Sequence, residues 1–298
     1  MQTLREIRRL LEEAGLRPRK QFGQSFLIDG NLLGKLVELA ELTGGETVLE
    51  VGPGTGSLTE ELLDRAATVV AVEIDRGLCD LLRRRLGDRG TLTLIRGDVL
   101  AGKHALSPAV LAAVGPGTHL VSNLPYNIAT PLVVECLLQS WRAAHREDAA
   151  TSSFERLTFT VQREVADRLR ARPGSGDYGA VSVVAALLGS VRTDRAVPAS
   201  AFWPRPNVES RIVRIDFDRA GAERLDDAET LMALLALAFG QRRKQIHSLV
   251  RRPRRRFLAE ALEAALARAG IEPTGRPEQV SPEKYLTMAN ALSQAGGG

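Results

Sequence analysis

Residues 47–66, TVLEVGPGTGSLTEELLDRA, decide the fold. Thr47–Val51 is a short apolar run that reads as a strand. It is closed at once by Gly52-Pro53-Gly54-Thr55-Gly56, and a helical pattern follows from Leu58 to Ala66. Strand, glycine turn and helix in that order make a site for a nucleotide cofactor. Glycines turn the backbone sharply and let a ligand approach where a Cβ would stand in the way. The dinucleotide fingerprint G-x-G-x-x-G is not met, because the third glycine comes one residue early and Ser57 stands in its place. Taken alone, such a turn also fits a loop that holds nothing.

The same rhythm continues outward. Strands are expected at Thr68–Val72, Thr91–Ile95, His119–Ser122 and Leu157–Val161, with helices at Gly77–Leu86, Pro131–Leu138 and on through Leu169. Short strands alternating with helices predict a parallel, doubly wound sheet covered on both faces. Upstream, residues 3–14 and 31–42 read as amphipathic helices, the second with Asn31 as its N-cap. Downstream of Arg172 the pattern loosens. Pro173–Gly176 is a loop, and residues 180–188 fit either a helix or a buried strand. Arg211–Phe217 reads as a late strand. From Ala220 the chain reads as helical, with helices at Ala228–Phe239, Arg242–Val250, Phe257–Ala269 and Pro282–Leu292, and a disordered tail at Gln294–Gly298. The expected organisation is an N-terminal helix and basic arm over 1–20, a sheet domain over 21–219 and a small all-helical domain over 220–298.

Composition bounds the function. The 298 residues are 44% hydrophobic, enough for a sizeable core, and only 4% aromatic. The formal net charge is +4, from 40 Lys and Arg against 36 Asp and Glu. That balance by itself does not argue for nucleic acid, but the arginines cluster. Arg17-Pro18-Arg19-Lys20, Arg242-Arg243-Lys244 and the run from Arg251 to Arg256 together favour a polyanionic partner. Cys79 and Cys136, far apart, read as small apolar residues in a reducing compartment. The N-terminus lacks an uninterrupted apolar segment and no apolar run is long enough to span a bilayer, so a cytoplasmic protein without a membrane partner is expected.

Three further strand ends carry chemistry. Glu73 ends the second strand, 21 residues after Gly52, where an acid can accept both ribose hydroxyl hydrogens of an adenosine. Asp98 follows the third strand, where it can accept from a cofactor's adenine amine or simply cap a turn. The fourth strand ends in Asn123-Leu124-Pro125-Tyr126. This sequence suits methylation of an adenine amine, whose lone pair is delocalised into the ring. Acceptors on both N–H groups, the Asn123 amide oxygen and the Leu124 carbonyl, favour a pyramidal nitrogen. Pro125 stiffens the turn, and Tyr126 offers a face on which an extruded base stacks. Transfer from a sulfonium needs no metal and no covalent enzyme intermediate, so the work is largely positioning.

NLPYNIATP at 123–131, FGQSFL at 22–27 and LEVGPGTGSLT at 49–59 resemble the ribosomal RNA adenine dimethyltransferase family. So do VQREVADRL at 161–169, AFWPRPNVESRIVRI at 201–215 and FGQRRKQI at 239–246, which extends the resemblance from about residue 17 to 292. It implies a Rossmann-like class I methyltransferase fold, with a mostly parallel seven-stranded sheet and a small C-terminal helical domain. It implies S-adenosylmethionine as cofactor, held by Ser25, Leu27, Gly52, Gly54, Glu73, Asp98 and Asn123. It implies dimethylation of two adjacent adenosines near the 3′ end of small-subunit (16S) rRNA, within an immature small ribosomal subunit, by a monomer without a metal. Phe202 resembles the family's aromatic that stacks on the other face of the target base, with a core residue as the alternative. Ser25 departs from the family, which usually has Asn there. Arg17, Arg19, Lys20, Arg242, Arg243 and Lys244 are the expected RNA contacts. Three other readings compete. An NAD-dependent oxidoreductase does not fit the glycine spacing. A DNA adenine methyltransferase usually has Pro where Leu124 stands. An assembly factor that binds without chemistry would retain binding when Asn123 is removed. Within the family, a branch acting on large-subunit RNA fits NLPYNIATP and FWPRPNVES less well than the small-subunit branch.

Overall fold

In the computed structural model the described residues are 1–19, 22–102, 105–146, 150–241, 244–251 and 257–296. They divide into two compact units, one formed by Met1–Ala166 with Arg192–Phe217, the other by Asp167–Val191 with Asp218–Gly298.

The first unit is built on β2 (Thr47–Val51), β3 (Thr68–Glu73), β4 (Leu92–Arg96), β5 (Thr118–Asn123), β6 (Phe154–Gln162), most of β7 (Gly189–Val197) and β9 (Ser210–Phe217). Their order across the sheet is β4-β3-β2-β5-β6-β9-β7. The pairs from β4 through β6 are parallel, and β6 with β9 is antiparallel. A separate two-stranded ribbon pairs β1 (Phe26–Leu27) with β8 (Phe202–Trp203). Strand order reverses at β2, which has β3 on one side and β5 on the other. At that point the crossover helices leave to opposite faces and open a crevice at the carboxyl ends of the strands.

Local chemistry sets the helices. In α1 (Leu4–Glu13), Thr3 and Glu6 cap each other's backbone N–H groups. α2 (Gly30–Ala40) begins at Asp29, whose side chain accepts from Asn31 N and Leu32 N. The cap therefore lies two residues before the expected Asn31, because a carboxylate with both amides in reach outcompetes an amide already inside the first turn. α3 (Ser57–Leu63) follows the glycine turn directly, and α4 (Arg76–Leu86) is capped by Asp75. α5 (Pro108–Ala113) and α6 (Ala129–Ala144) complete the crossovers, and α7 (Arg163–Leu169) follows β6. The strand centres are fully buried, with Val48, Leu49, Val69, Val70 and Ala71 at 0% exposure. That is expected of a parallel sheet covered on both faces. One apolar cluster joins Leu33, Leu36, Val48, Leu62, Val69, Leu82, Val121 and Ile212.

The second unit holds α8 (Ala180–Leu188), α9 (Arg219–Glu223), α10 (Ala228–Phe239), α11 (Ser248–Arg251), α12 (Ala259–Arg268) and α13 (Pro282–Gly296). Residues 180–188, undecided in sequence, are helical and almost wholly buried, which explains their lack of an amphipathic period. The core here is aromatic. Phe239 lies 6.0 Å from Tyr178 and 5.8 Å from Tyr285 between ring centroids. Both phenols are buried and donate to backbone carbonyls, Tyr178 to Val280 at 2.8 Å and Tyr285 to Pro277 at 2.9 Å.

These units differ from the expected domains in two ways. Residues 167–191 group with the helical unit, because Tyr178 and α8 share its core. Residues 1–19 are part of the sheet unit rather than an arm, because Ile7 and Leu11 are buried with Phe26 and Leu78. Two other expectations are corrected. Gln294–Gly296 continue α13 rather than forming a disordered tail, residues 297 and 298 lying outside the described residues, and among the described residues of 242–250 helix is confined to 248–250 of α11, with Arg242 and Arg243 outside the described residues. β7 was not foreseen. Its Arg, Thr and Asp residues hide the alternation of an outer strand.

Candidate functional site

Because β4, β3, β2 and β5 are parallel neighbours, their carboxyl ends lie side by side. The segments that follow converge on one pocket, whose wall includes Gly52, Gly54, Glu73, Asp98 and Asn123 through Tyr126, with Ser25 and Leu27 contributed by the segment at β1. Strand order thus gathers the glycine turn, Glu73, Asp98 and Asn123–Tyr126, which are far apart in the chain, on one edge.

The glycine turn is a cradle. Gly52, Gly54 and Gly56 all have positive φ, which an L side chain rarely adopts. A Cβ on Gly52 would stand 3.0 Å from Pro125 Cγ, and one on Gly54 would stand 2.8 Å from Phe26 Cε1. The turn is fastened from behind by Gln2, which is buried. Its Nε2 donates to the Thr55 carbonyl at 3.1 Å, its Oε1 accepts from Thr55 Oγ1 at 2.7 Å, and its backbone N donates to Ser57 Oγ at 3.2 Å.

Two carboxyl groups face the cradle from inside the protein. Glu73, 3% exposed, accepts from Gly54 N at 3.2 Å and Asp75 N at 2.8 Å. Burial still pushes its pKa up to about 7. Glu50, on the wall beside it, is buried and pushed up to about 8 by burial and by the neighbouring charge of Glu73. Its Oε2 has no hydrogen-bond partner. A buried, unpartnered carboxyl oxygen beside a backbone cradle suits a ligand with a positively charged end and an adenosine ribose. These residues therefore fit an adenosyl sulfonium. Asp98 is exposed at the pocket rim, with one oxygen accepting from Leu100 N at 2.9 Å. It caps its turn and still presents the carboxylate to the pocket.

At the end of β5, Asn123 is held at both ends of its amide. Nδ2 donates to the Ser25 carbonyl at 2.9 Å, and Oδ1 accepts from the Thr160 hydroxyl, directly across in β6. The Ser25 carbonyl, which can only accept, fixes which amide atom is the nitrogen, so the oxygen faces the Thr160 hydroxyl and retains a second lone pair. Leu124 is buried on the wall, and Tyr126 anchors its hydroxyl on Ser210 Oγ at 2.8 Å with its ring on the pocket.

Two expected residues stand differently. The Ser25 hydroxyl donates to the Pro204 carbonyl at 2.9 Å, so its hydrogen is committed away from a ligand. Phe202 is 3% exposed, packed with Leu27, Leu33, Leu36 and Ile212, and is absent from the pocket wall. It is a core residue, because the alternation along β8 turns Phe202 inward and leaves the half-buried Trp203 on the other side. The aromatic residues on the wall besides Tyr126 are Phe22 and Phe26. Both belong to the FGQSFL motif at 22–27, which by itself assigns neither a role. Thr160 was likewise missed, since only strand register brings it opposite Asn123. Among the basic residues, Arg17 is exposed, and Arg19 pairs with Asp75 at 3.6 Å. Lys244 is exposed in the helical unit. Lys20, Arg242 and Arg243 lie outside the described residues. Among the described residues no three His, Cys, Asp or Glu side chains cluster as a metal site, and no helix is long and apolar enough to cross a membrane.

Comparison with known proteins adds a family. The profile described as Ribosomal RNA adenine dimethylase matches residues 15–294. A protein named Ribosomal RNA small subunit methyltransferase A from Phenylobacterium zucineum is 40% identical over 293 residues, covering 98% of this chain and 94% of that protein. One of the same name from Moorella thermoacetica is 36% identical, covering 95% of each. A solved dimethyladenosine transferase from Plasmodium falciparum shares the fold, with a TM-score of 0.70 at 22% identity over 90% of this chain and 97% of that one. The solved 23S rRNA methyltransferase ErmE aligns with a TM-score of 0.57 at 30% identity, over 90% of this chain and 100% of that one.

Proposed function

From the premise that this chain belongs to the ribosomal RNA adenine dimethylase family, we propose that the pocket at the carboxyl edge of its sheet is where an adenine amine meets a methyl donor. The protein is a class I methyltransferase that dimethylates N6 of adenosines in small-subunit rRNA. The finer reading is that its targets are two adjacent adenosines of the 3′-terminal hairpin in an immature subunit, and that a cytoplasmic monomer does the work. The helical domain expected over 220–298 would grip RNA through shape and phosphate.

The observation that carries the site assignment is the adjacency of Asn123 to the Gly52–Gly54 turn, with the ring of Pro125 in van der Waals reach of Gly52. S-adenosylmethionine, when bound, supplies a methyl group on a sulfonium. Gly52 and Gly54 would admit it, Glu73 would accept from its ribose hydroxyls, Asp98 from its adenine amine, and Glu50 would oppose its positive charge. Asn123 Oδ1, oriented by Thr160, accepts one N6–H through its free lone pair. The Leu124 carbonyl accepts the other, which draws the nitrogen toward pyramidal geometry. Tyr126 stacks on the extruded base and excludes water from one face. The remaining work is alignment of the nitrogen with the methyl carbon.

The test is transfer of labelled methyl groups to unmethylated small subunits, with the products identified by nucleoside mass spectrometry. Dimethyladenosine is the expected product, and Asn123→Ala should abolish it while subunit binding largely survives. Modified cytidine or guanosine, or full activity in Asn123→Ala, would overturn the reading.

A further inference from the structure

A second depression on the sheet unit lies beside the reaction pocket, walled by Arg8, Leu11, Glu12, Arg17, Trp203 and Pro204 among others. Its chemistry differs from that of the first. Trp203 is half-buried, so part of the indole faces solvent, and the Arg8 guanidinium lies over that ring, 5.1 Å from its centroid. Arg8 and Arg17 are both exposed, and neither has an acidic partner among the described residues. Glu12 is the acid on this wall, against two arginines. An aromatic face with an exposed guanidinium above it and a second uncompensated cation nearby matches an unpaired nucleotide, its base stacked and its phosphate drawn to the arginine.

The two depressions share a thin partition. Phe26, on the reaction pocket wall, stacks against Trp203 across the β1–β8 ribbon, with centroids 6.3 Å apart and planes 25° apart. Ser25 joins the same two sites in polar terms. Its carbonyl receives Asn123 Nδ2, and its hydroxyl donates to Pro204 on the groove wall. α1 contributes to both as well, with Ile7 on the pocket and Arg8 and Leu11 on the groove. An RNA strand that inserts one base beside Asn123 therefore carries its neighbouring base to this partition. That neighbour has lost a stacking partner through the extrusion, and it needs an aromatic surface within a single nucleotide step.

We propose that this groove binds the nucleotide adjacent to the one being methylated, its base inserted between the Trp203 indole and the Arg8 guanidinium and its phosphate facing Arg17. The proposal rests on the RNA-adenine reading above and extends it to the substrate's second base. It gives a physical reason for an enzyme to act on adjacent adenosines, since each holds the strand while the other reacts.

The experiment uses the full chain with unmethylated small subunits, varying subunit and S-adenosylmethionine concentrations separately. Trp203→Ala should raise KM for subunits on the order of tenfold, as loss of one base stack does, with KM for S-adenosylmethionine unchanged and the melting temperature lowered by the lost packing on Phe26. Trp203→Phe should recover most of the loss. Arg8→Ala, on an exposed helix surface, should raise the same KM severalfold and keeps the test informative if Trp203→Ala misfolds. A short RNA with two adjacent adenosines is then compared with one in which either base is replaced by an abasic sugar. Wild type should lose affinity on removal of the neighbour base, and Trp203→Ala should lose nothing further. An unchanged KM for subunits in both Trp203→Ala and Arg8→Ala, or equal abasic penalties in wild type and Trp203→Ala, would overturn the subsite alone. Wild-type enzyme that transfers no methyl to adenosine would overturn the reaction and the subsite together.

Discussion

Cofactor affinity should rise with pH, because Glu73 must be ionised to accept two ribose hydrogens and its burial opposes ionisation. With its pKa pushed up to about 7 from an ordinary 4.5, the protonated form outnumbers the ionised one about tenfold at pH 6, and the ratio reverses at pH 8. The apparent dissociation constant for S-adenosylhomocysteine, which lacks the charge that Glu50 would oppose, should therefore fall about tenfold from pH 6 to pH 8 and level off beyond. Binding should release a proton in the lower half of that range, measurable by calorimetry in two buffers of different ionisation enthalpy. Using S-adenosylhomocysteine alongside S-adenosylmethionine separates the ribose contact from the sulfonium charge. Glu73→Gln should flatten the profile and weaken binding at pH 8. The same shift predicts a stability trend in the ligand-free chain. Between pH 4.5 and about 7 the folded state holds a proton that the unfolded state has released, so stability falls as pH rises through that window. The full shift amounts to about 3 kcal/mol. A dissociation constant that is flat between pH 6 and 8 in the wild type would refute the reasoning, because a carboxyl that did not titrate there would not be the ribose acceptor described.

Thr160→Val removes the hydroxyl that orients the Asn123 amide. With one hydrogen bond of about 1 kcal/mol lost, kcat should fall several-fold at unchanged KM for cofactor, and Thr160→Ser should restore it in the same steady-state assay. Gly54→Ala places a Cβ at 2.8 Å from the Phe26 ring and at a φ of +62°. Left-handed strain of roughly 1–2 kcal/mol, with displacement of Phe26, should lower both melting temperature and cofactor affinity, read by thermal shift with and without ligand. Arg214 is nearly buried and bonds Asp216 at 2.9 Å, Glu41 at 2.6 Å and the Leu39 carbonyl at 3.2 Å. Arg214→Ala should destabilise by roughly 2 kcal/mol in urea titration, with methyl transfer retained in native buffer. Asp216 is held below its ordinary value, against the cost of its partial burial, by hydrogen bonds from Arg214 and Arg156. Its contribution is therefore present above pH 3.8 and lost as pH falls through the lowered value, so wild type and Arg214→Ala should converge in stability under strong acid.

Much of this protein is determined by short-range sequence. The strand at Thr47–Val51 and the helix at Ala228–Phe239 were legible to the residue, because apolar period and flanking glycine or acid are local signals. The glycine turn, Glu73, Asp98 and the Asn123–Tyr126 segment were legible as a set, because a parallel sheet obliges its strand ends to meet on one edge. Tertiary structure alone decided which side chains face that edge. Phe202 and Trp203 are adjacent aromatic residues in one motif, yet pairing with Phe26 and Leu27 buries one in the core and opens the other to the groove. Thr160 reaches Asn123 through a register between strands 37 residues apart in the chain, and Gln2 reaches Thr55 through the docking of α1. Residues 167–191 joined the helical core through Tyr178 and Phe239, a contact spanning some sixty residues. Periodicity reports what one element wants to bury; only the packed chain chooses the neighbour against which it is buried, and the direction a side chain takes at a strand end follows from that choice.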